Sequence, residues 1–500
     1  MSTRPFYLTP LIVATALFME NLDSTILSTS LPAIAVDLNE DPIALKLALT
    51  SYLLALAIFI PASGWAADRF GARVVFRLAI LVFTVGSILC GFASNLPEFI
   101  AARFLQGMGG AMMTPVGRLV VFRSVKRADL VRALAFLTTP ALIGPVIGPP
   151  IGGFITTYFH WRWIFWINVP IGILGVLLAT RYIDEIKEEE PEPFDLIGFV
   201  LVGGGLATLI FGLTIMGRGF LPPWGVGALI GYGIVSLLLY IRHAGRVEAP
   251  IVDLSLLKVR TFRASVTGGF IFRIGVGAMP FLLPLMLQLG FGLSPFQSGL
   301  LTFASSAGAL LMKPTAAPIL AQFGFRRVLI VNAILSAAML AAVGFFRPDT
   351  PHAAILLVLL LGGFLRSLEF TAINAIAYAD LPDKRMSKAT SFSSTAQQLS
   401  LTCGVASGAA IIEATRVAHH ETTFSAADFV PAFFIVGAIS ACAAFVFWRL
   451  PANAGAALAV KKVRGAPASG RGAAEPGVAR MGEAQSSNEG AEPRKPVAKT

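Results

Sequence analysis

Charge is what this sequence has least of. Only 13% of its 500 residues are Asp, Glu, Lys or Arg, about half of the roughly 25% usual in soluble domains. A chain so poor in charge cannot cover a water-facing surface. That excludes a soluble enzyme, a secreted module and a nucleic-acid binder. Cysteine is scarce too: Cys90, Cys403 and Cys442 lie inside apolar runs, which reads as packing and not as a disulfide framework or a metal site. No GxxxxGK[ST] phosphate loop occurs, so pumping by nucleotide hydrolysis is not expected. The alternating ten-residue segments of a membrane barrel are also missing. The chain is read as a non-enzyme that needs no cofactor.

Apolar residues make up 55% of the chain and the mean hydropathy is +0.75. A membrane-spanning helix needs about 20 consecutive, mostly apolar residues, and lipid offers backbone groups no partners, so all-helical spans are expected. Fourteen apolar runs are legible, from 10–32 to 429–448, with 195–215 and 224–241 as the seventh and eighth. The first run contains Glu20 and Asp23 and is too long for a cleaved leader. With an even count both termini share one side. Eighteen basic loop residues then fall on that side, against five (Lys46, Arg162, Arg218, Arg347 and Arg416) on the other. The excess makes the terminus side cytoplasmic and accounts for much of the +11 net charge without nucleic acid.

Composition divides the chain further. Residues 1–183 and 264–450 read as two six-helix bundles. Residues 184–263 join them through the acidic stretch DEIKEEEPEPFD and two extra spans. Residues 451–500, rich in Ala, Gly, Pro, Lys and Glu, read as a disordered cytoplasmic tail. An internal repeat supports two halves: GWAADRFGARVVF (64–76) and APILAQFGFRRVLI (317–330) align Gly71 with Gly324 and Arg73 with Arg326, while Asp68 becomes Ala321.

An ionisable side chain near mid-bilayer costs about 2.5–3.5 kcal/mol on insertion scales and marks function by default. The candidates are Glu20, Asp23, Arg103, Arg273, Lys313, Arg366 and Glu369; Arg118 and Glu413 lie near span ends. Asp23 and Arg103 fall at similar depth, so a pair between Arg103 and Asp23 or Glu20 is expected. Gln106 shares a helix face with Arg103. Arg366 and Glu369, also three apart, can pair within one helix. A carboxylate in this setting can load a proton on one side of the membrane and release it on the other. The residue reading that competes is structural glue between helices. The fifth run carries GPVIGPPIGG (144–153): Gly144, Gly148 and Gly152 lie four apart on one face, followed by Gly153, with Pro145, Pro149 and Pro150 removing backbone donors.

Five of these segments resemble the major facilitator superfamily, in particular its fourteen-span drug:proton antiporters of the EmrB/QacA type. GWAADRFGARVVF resembles the loop 2–3 motif, with Gly64, Asp68, Arg69, Gly71 and Arg73 in place. ARFLQGMGGA (102–111) resembles the span-4 motif, with Arg103, Gln106 and Gly107. GPVIGPPIGG resembles the antiporter motif of span 5. MENLDSTILSTSLPAIA (19–35) and HWRWIFWINVPIG (160–172) resemble signatures of the first and sixth spans. The resemblance covers about 1–450. It implies a central cavity lined by spans 1, 4, 9 and 12, with Gln106, Arg273, Arg366 and Glu369 as cavity residues. It makes Asp23 and Arg103 the proton-coupling pair, to which the buried acid Glu20 is added from its place in the first span, and Asp68, Arg69 and Arg73 a conformational latch with the motif glycines Gly64 and Gly71. The function implied is proton-coupled export of hydrophobic or cationic drugs by alternating access, in the cell (inner) membrane, with protons, a small-molecule substrate and lipid as partners. An exporter of a metabolite, amino acid or siderophore stays open, as does a periplasmic adaptor. A channel or membrane sensor fits the repeat and the Gly/Pro joints less well.

Overall fold

A computed structural model of the chain describes residues 7–124, 130–185, 193–215, 221–382, 385–419 and 424–455. Among the described residues there is no strand. The long helices are α1 (Leu8–Ile26), α2 (Lys46–Phe70), α3 (Ala72–Phe92), α4 (Leu96–Ser124), α5 (Leu130–Tyr158), α6 (Asn168–Tyr182), α7 (Leu196–Ile215), α8 (Pro223–Ala244), α9 (Arg260–Leu285), α10 (Pro295–Met312), α11 (Phe325–Ala342), α12 (His352–Ala377), α13 (Met386–His419) and α14 (Ala426–Ala441). Eleven helical segments among the described residues are long and apolar enough to cross a membrane. The acidic stretch between α6 and α7 is described only at its ends, and the tail beyond 455 lies outside the described residues.

Proline sets several boundaries. The first apolar run does not stay one helix through 32. It ends at Ile26, passes through a 3-10 turn (Leu27–Thr29), and restarts as Leu31–Asp37 with Pro32 in its first turn. The run expected at 295–319 breaks at Met312, because Pro314 cannot supply the N–H that would continue it, and a short helix follows at Ala316–Phe323.

Packing is dense within each half: α1 lies against α5 and α6, and α4 against α2 and α3, while α9 lies against α13 and α14, and α10 against α12. The seam between the halves is made by α5 against α10 and α2 against α13. Glycines set the approach at the first crossing. A Cβ on Gly153 would stand 2.3 Å from the Pro295 carbonyl oxygen, and one on Gly299 2.3 Å from that of Pro149. The α7–α8 pair packs on itself, and α7 also rests on α2 and α13. Its exposed Trp224, Tyr232, Val235, Leu238 and Ile241 form an apolar outer surface, as lipid contact requires.

Apart from one bond near mid-helix, from Ser306 of α10 to the Pro145 carbonyl of α5, hydrogen bonds across the seam gather on the side away from the termini. Gln288, in the π-turn that follows α9, donates to the Thr29 carbonyl (2.9 Å). The Phe296 N–H donates to Thr157 Oγ1 (3.0 Å). Arg416 at the end of α13 pairs with Asp41 (2.9 Å). On the terminus side, Asp68–Arg123 (3.0 Å) and Arg73–Glu185 (3.2 Å) stay within the first half. Arg385–Asp253 (2.8 Å) joins loops flanking the second half.

Candidate functional site

The centre of the first half holds a closed polar network. Arg103 on α4 donates to Asp23 Oδ2 on α1 at 2.7 Å, and Arg103 and Asp23 are each only 1% exposed. Gln106, one turn along α4, donates to Asp23 Oδ1 (2.8 Å) and accepts a second N–H of Arg103. Asn168 at the start of α6 donates to the same Oδ1 (2.9 Å) and to Ser87 Oγ on α3 (2.9 Å). Ser87 in turn donates to the Phe165 carbonyl (3.0 Å). The Tyr52 ring of α2 lies 4.3 Å from the guanidinium carbon, which adds a cation–π contact in a desolvated setting. One carboxylate therefore ties α1, α4 and α6 together. Breaking such a buried pair from one side costs about 3–5 kcal/mol.

Asp23, Arg103 and Gln106 are legible in the sequence from span depth and helical spacing. Asn168, Ser87 and Tyr52 are not. Asn168 was the one with a signal: it is the lone amide inside the apolar HWRWIFWINVPIG segment. Upstream in that segment, Trp161 packs on Phe99 and Phe165, and its indole N–H and Arg162 both reach Asp37.

Glu20 stands apart from this network. It accepts a hydrogen bond from Thr114 Oγ1 (2.8 Å) on α4 and makes no contact with Arg103. Positions 20 and 24 share one stripe of α1, and Ser24, together with Ser28 in the 3-10 turn that follows, lines a cavity of about 330 Å³ between the halves. Its other walls come from α5, α9, α10 and α12, including Pro149, Met279, Thr302, Lys313 and Arg366. The wall differs from the expected set of spans 1, 4, 9 and 12: α4 contributes nothing, and α5 and α10 take its place. Arg103 and Gln106 are turned into the first half, away from it.

In the second half the charges separate. Arg366 donates to Ser305 Oγ (2.6 Å), while Glu369 accepts from Asn332 (2.8 Å) and is fully buried. The pair expected within α12 does not form, because the two side chains leave the helix toward different neighbours, α10 and α11. Arg273, 2% exposed, donates to Asn374 (3.0 Å) and lies over the Phe370 ring (5.1 Å). Of the four expected cavity residues, Arg366 alone reaches the wall.

The five residues expected to form a latch lie at the terminus side. Gly71 takes φ +94° between α2 and α3, and its repeat counterpart Gly324 takes φ +75° before α11, a backbone that favours glycine. Asp68 pairs with Arg123, and Arg73 with Glu185. Arg69 is exposed and Gly64 has open space around it. In the repeat, where the acid is lost at Ala321, Arg326 donates instead to the Trp448 carbonyl (2.9 Å). On α5, a Cβ on Gly144, Gly148 or Gly152 would press within 3 Å of α1 backbone or Thr25. Pro149 lacks the N–H that would satisfy the Pro145 carbonyl, and Ser306 from α10 donates to that oxygen instead (2.9 Å).

These features belong to a membrane transporter and contain no catalytic constellation. The sequence matches the Major Facilitator Superfamily over residues 13–246 and 266–487, and the chain belongs to that family. It is 39% identical over 444 residues to a putative multidrug resistance protein MdtD of Pectobacterium carotovorum subsp. carotovorum (strain PC1), covering 88% of this chain and 95% of the relative. The protein of that name from Klebsiella pneumoniae (strain 342) is 38% identical over 454 residues, 90% of this chain and 96% of the relative. In fold it is similar to a D-xylose-proton symporter (TM-score 0.65, 16% identity, 90% of this chain and 99% of that one). It is also similar to an auto-inhibited POT family peptide transporter (TM-score 0.66, 16% identity, 91% and 97%).

Proposed function

We propose that the chain is a proton-coupled multidrug exporter with fourteen spans and both termini in the cytoplasm. α4, α5 and α10 supply three spans beyond the eleven segments that length and hydropathy alone pick out. The relatives' printed name, multidrug resistance protein, supports the class of cargo. On this topology the described state is closed toward the outside by the α5–α10 crossing, Gln288–Thr29 and Arg416–Asp41, and its cavity faces the cytoplasm.

The observation that carries the reading is the place of α1. One face of it enters the cavity at Ser24, with Ser28 in the turn just beyond, and another face holds the buried Asp23–Arg103 pair. Asp23 does not line the cavity, so cargo does not displace its proton by contact. Coupling runs through the helix: protonating Asp23 weakens the hold of Arg103, Gln106 and Asn168, frees α1 to shift against α5, and reshapes the cavity wall. Glu20, one turn before Ser24 on the same helix and held by Thr114 of α4, is the carboxylate through which protons enter. Asp68, Arg73 and the glycines beside them form the latch on the terminus side.

The test is proton-driven transport in proteoliposomes with an imposed pH gradient and a panel of dyes and antibiotics. Coupled export that collapses with the gradient is expected. Flux that ignores the gradient, or step-like conductance at fixed voltage, would overturn the reading.

A further inference from the structure

The central cavity carries charge of one sign. Lys313 and Arg366 are the titratable side chains on its described wall, which holds no carboxylate and no aromatic ring. Arg366 gives one N–H to Ser305 Oγ and has no carboxylate partner among the described residues. The nearest acids by sequence are committed elsewhere: Glu369 to Asn332 on the far side of α12, and Glu20 to Thr114. Ser305 accepts from Arg366 and donates its own hydrogen to no described group, so a second donor stands beside the guanidinium. Around these donors the wall is apolar, with Val276, Met279 and Leu283 of α9 prominent.

A lone organic cation would find nothing here to balance it, because it needs a carboxylate or the face of an aromatic ring. An oxyanion would find a planar fork and a hydroxyl in a low-dielectric setting, where a charge-assisted hydrogen bond is at its strongest. The volume fits one small apolar body. We propose that this cavity selects amphipathic anions: a compact apolar group carrying a carboxylate or similar oxyanion, gripped by Arg366 and Ser305, with Lys313 drawing it in at the end of α10. The inference rests on the cavity being the export site, and narrows the cargo within that reading.

The test uses a matched pair, 1-naphthylacetate and (1-naphthylmethyl)trimethylammonium, which share a ring and differ in the sign of the head. Binding to the full chain is measured by calorimetry in lipid-free nonionic detergent, so that no lipid headgroup supplies the anion. The anion should bind about tenfold tighter or more, as one charged hydrogen bond allows. Arg366→Gln should bring the two ligands to parity, and Arg366→Lys should restore part of the preference. Lys313 is exposed, so Lys313→Gln folds independently of the buried network and should reduce the preference too. Equal binding, a preference for the ammonium compound, or a preference untouched by both Gln variants would overturn the proposal. The same pair in proteoliposomes separates the two claims. Gradient-driven transport of the cation alone sinks the anion inference and leaves the exporter standing. Anion binding without gradient-driven transport sinks the exporter reading and leaves the selectivity standing.

Discussion

At the residue scale, the buried network turns on one carboxylate with three donors from two helices. Asp23→Asn keeps the shape but removes both the charge and the titration. Gradient-driven transport should fall to background with normal membrane expression; transport at the wild-type rate would show that Asp23 carries no coupling. Glu20 lies outside the network, so Glu20→Gln should leave the fold unchanged and blunt the dependence of transport on inside pH. Arg103 engages Asp23 and Gln106 through a single nitrogen. A point charge can replace much of that, so Arg103→Lys should retain measurable activity. Arg103→Ala leaves Asp23 buried and unpaired and should lose about 3–5 kcal/mol of stability, seen as a lower melting midpoint in detergent.

At the element scale, α5 is held on two faces, against α1 by Gly144, Gly148 and Gly152 and against α10 by Gly153. The two faces make different predictions. Gly148→Ala would push on Thr25 within one half and should lower stability without changing which side is open. Gly153→Ala or Gly299→Ala would wedge the seam at its closed end. Cysteines placed beside that seam should then react faster with a membrane-impermeant thiol reagent added outside; unchanged labelling would show that the crossing does not form the seal. The loop between α8 and α9 gives a pH prediction. Burial acts to raise the Asp253 carboxyl, but hydrogen bonds from Ser255 and Arg385 outweigh it and hold it below its ordinary value. Its contribution is present above the ordinary aspartate range and is lost as pH falls through the lowered value. The melting difference between wild type and Asp253→Asn should therefore be constant near neutrality and vanish only in strong acid.

At the scale of the whole molecule, the polar contacts across the seam, apart from Ser306–Pro145 near mid-helix, sit on one side, so the described state is one of two that alternating access requires. Arg416–Asp41 is a partly exposed pair of the kind worth little alone, yet it spans the seam. Arg416→Ala should shift the population toward the opposite opening and change the rate of transport more than the stability. A matching fall in stability with no change in opening would make the pair a plain structural tie.

The sequence by itself determined the medium and the element type. Charge this sparse forces burial in lipid, and lipid forces helices. Proline positions mark most of the breaks, though the first helix ended at Ile26, ahead of the restart at Pro32, and Pro314 ended α10 earlier than the apolar run suggested. Three-residue spacing placed Gln106 beside Arg103, and depth alone brought Asp23 level with it. The same spacing misled for Arg366 and Glu369, because sharing a helix face does not decide which neighbouring helix each side chain meets. Only the tertiary structure decided the walls of the cavity, the isolation of Asp23 from it, and the roles of Asn168, Ser87 and Tyr52. The physical reason is that lipid and protein core are equally apolar. Hydropathy therefore cannot tell a face that meets acyl chains from one that meets another helix, and the partner of a buried polar group is fixed by how the helices cross.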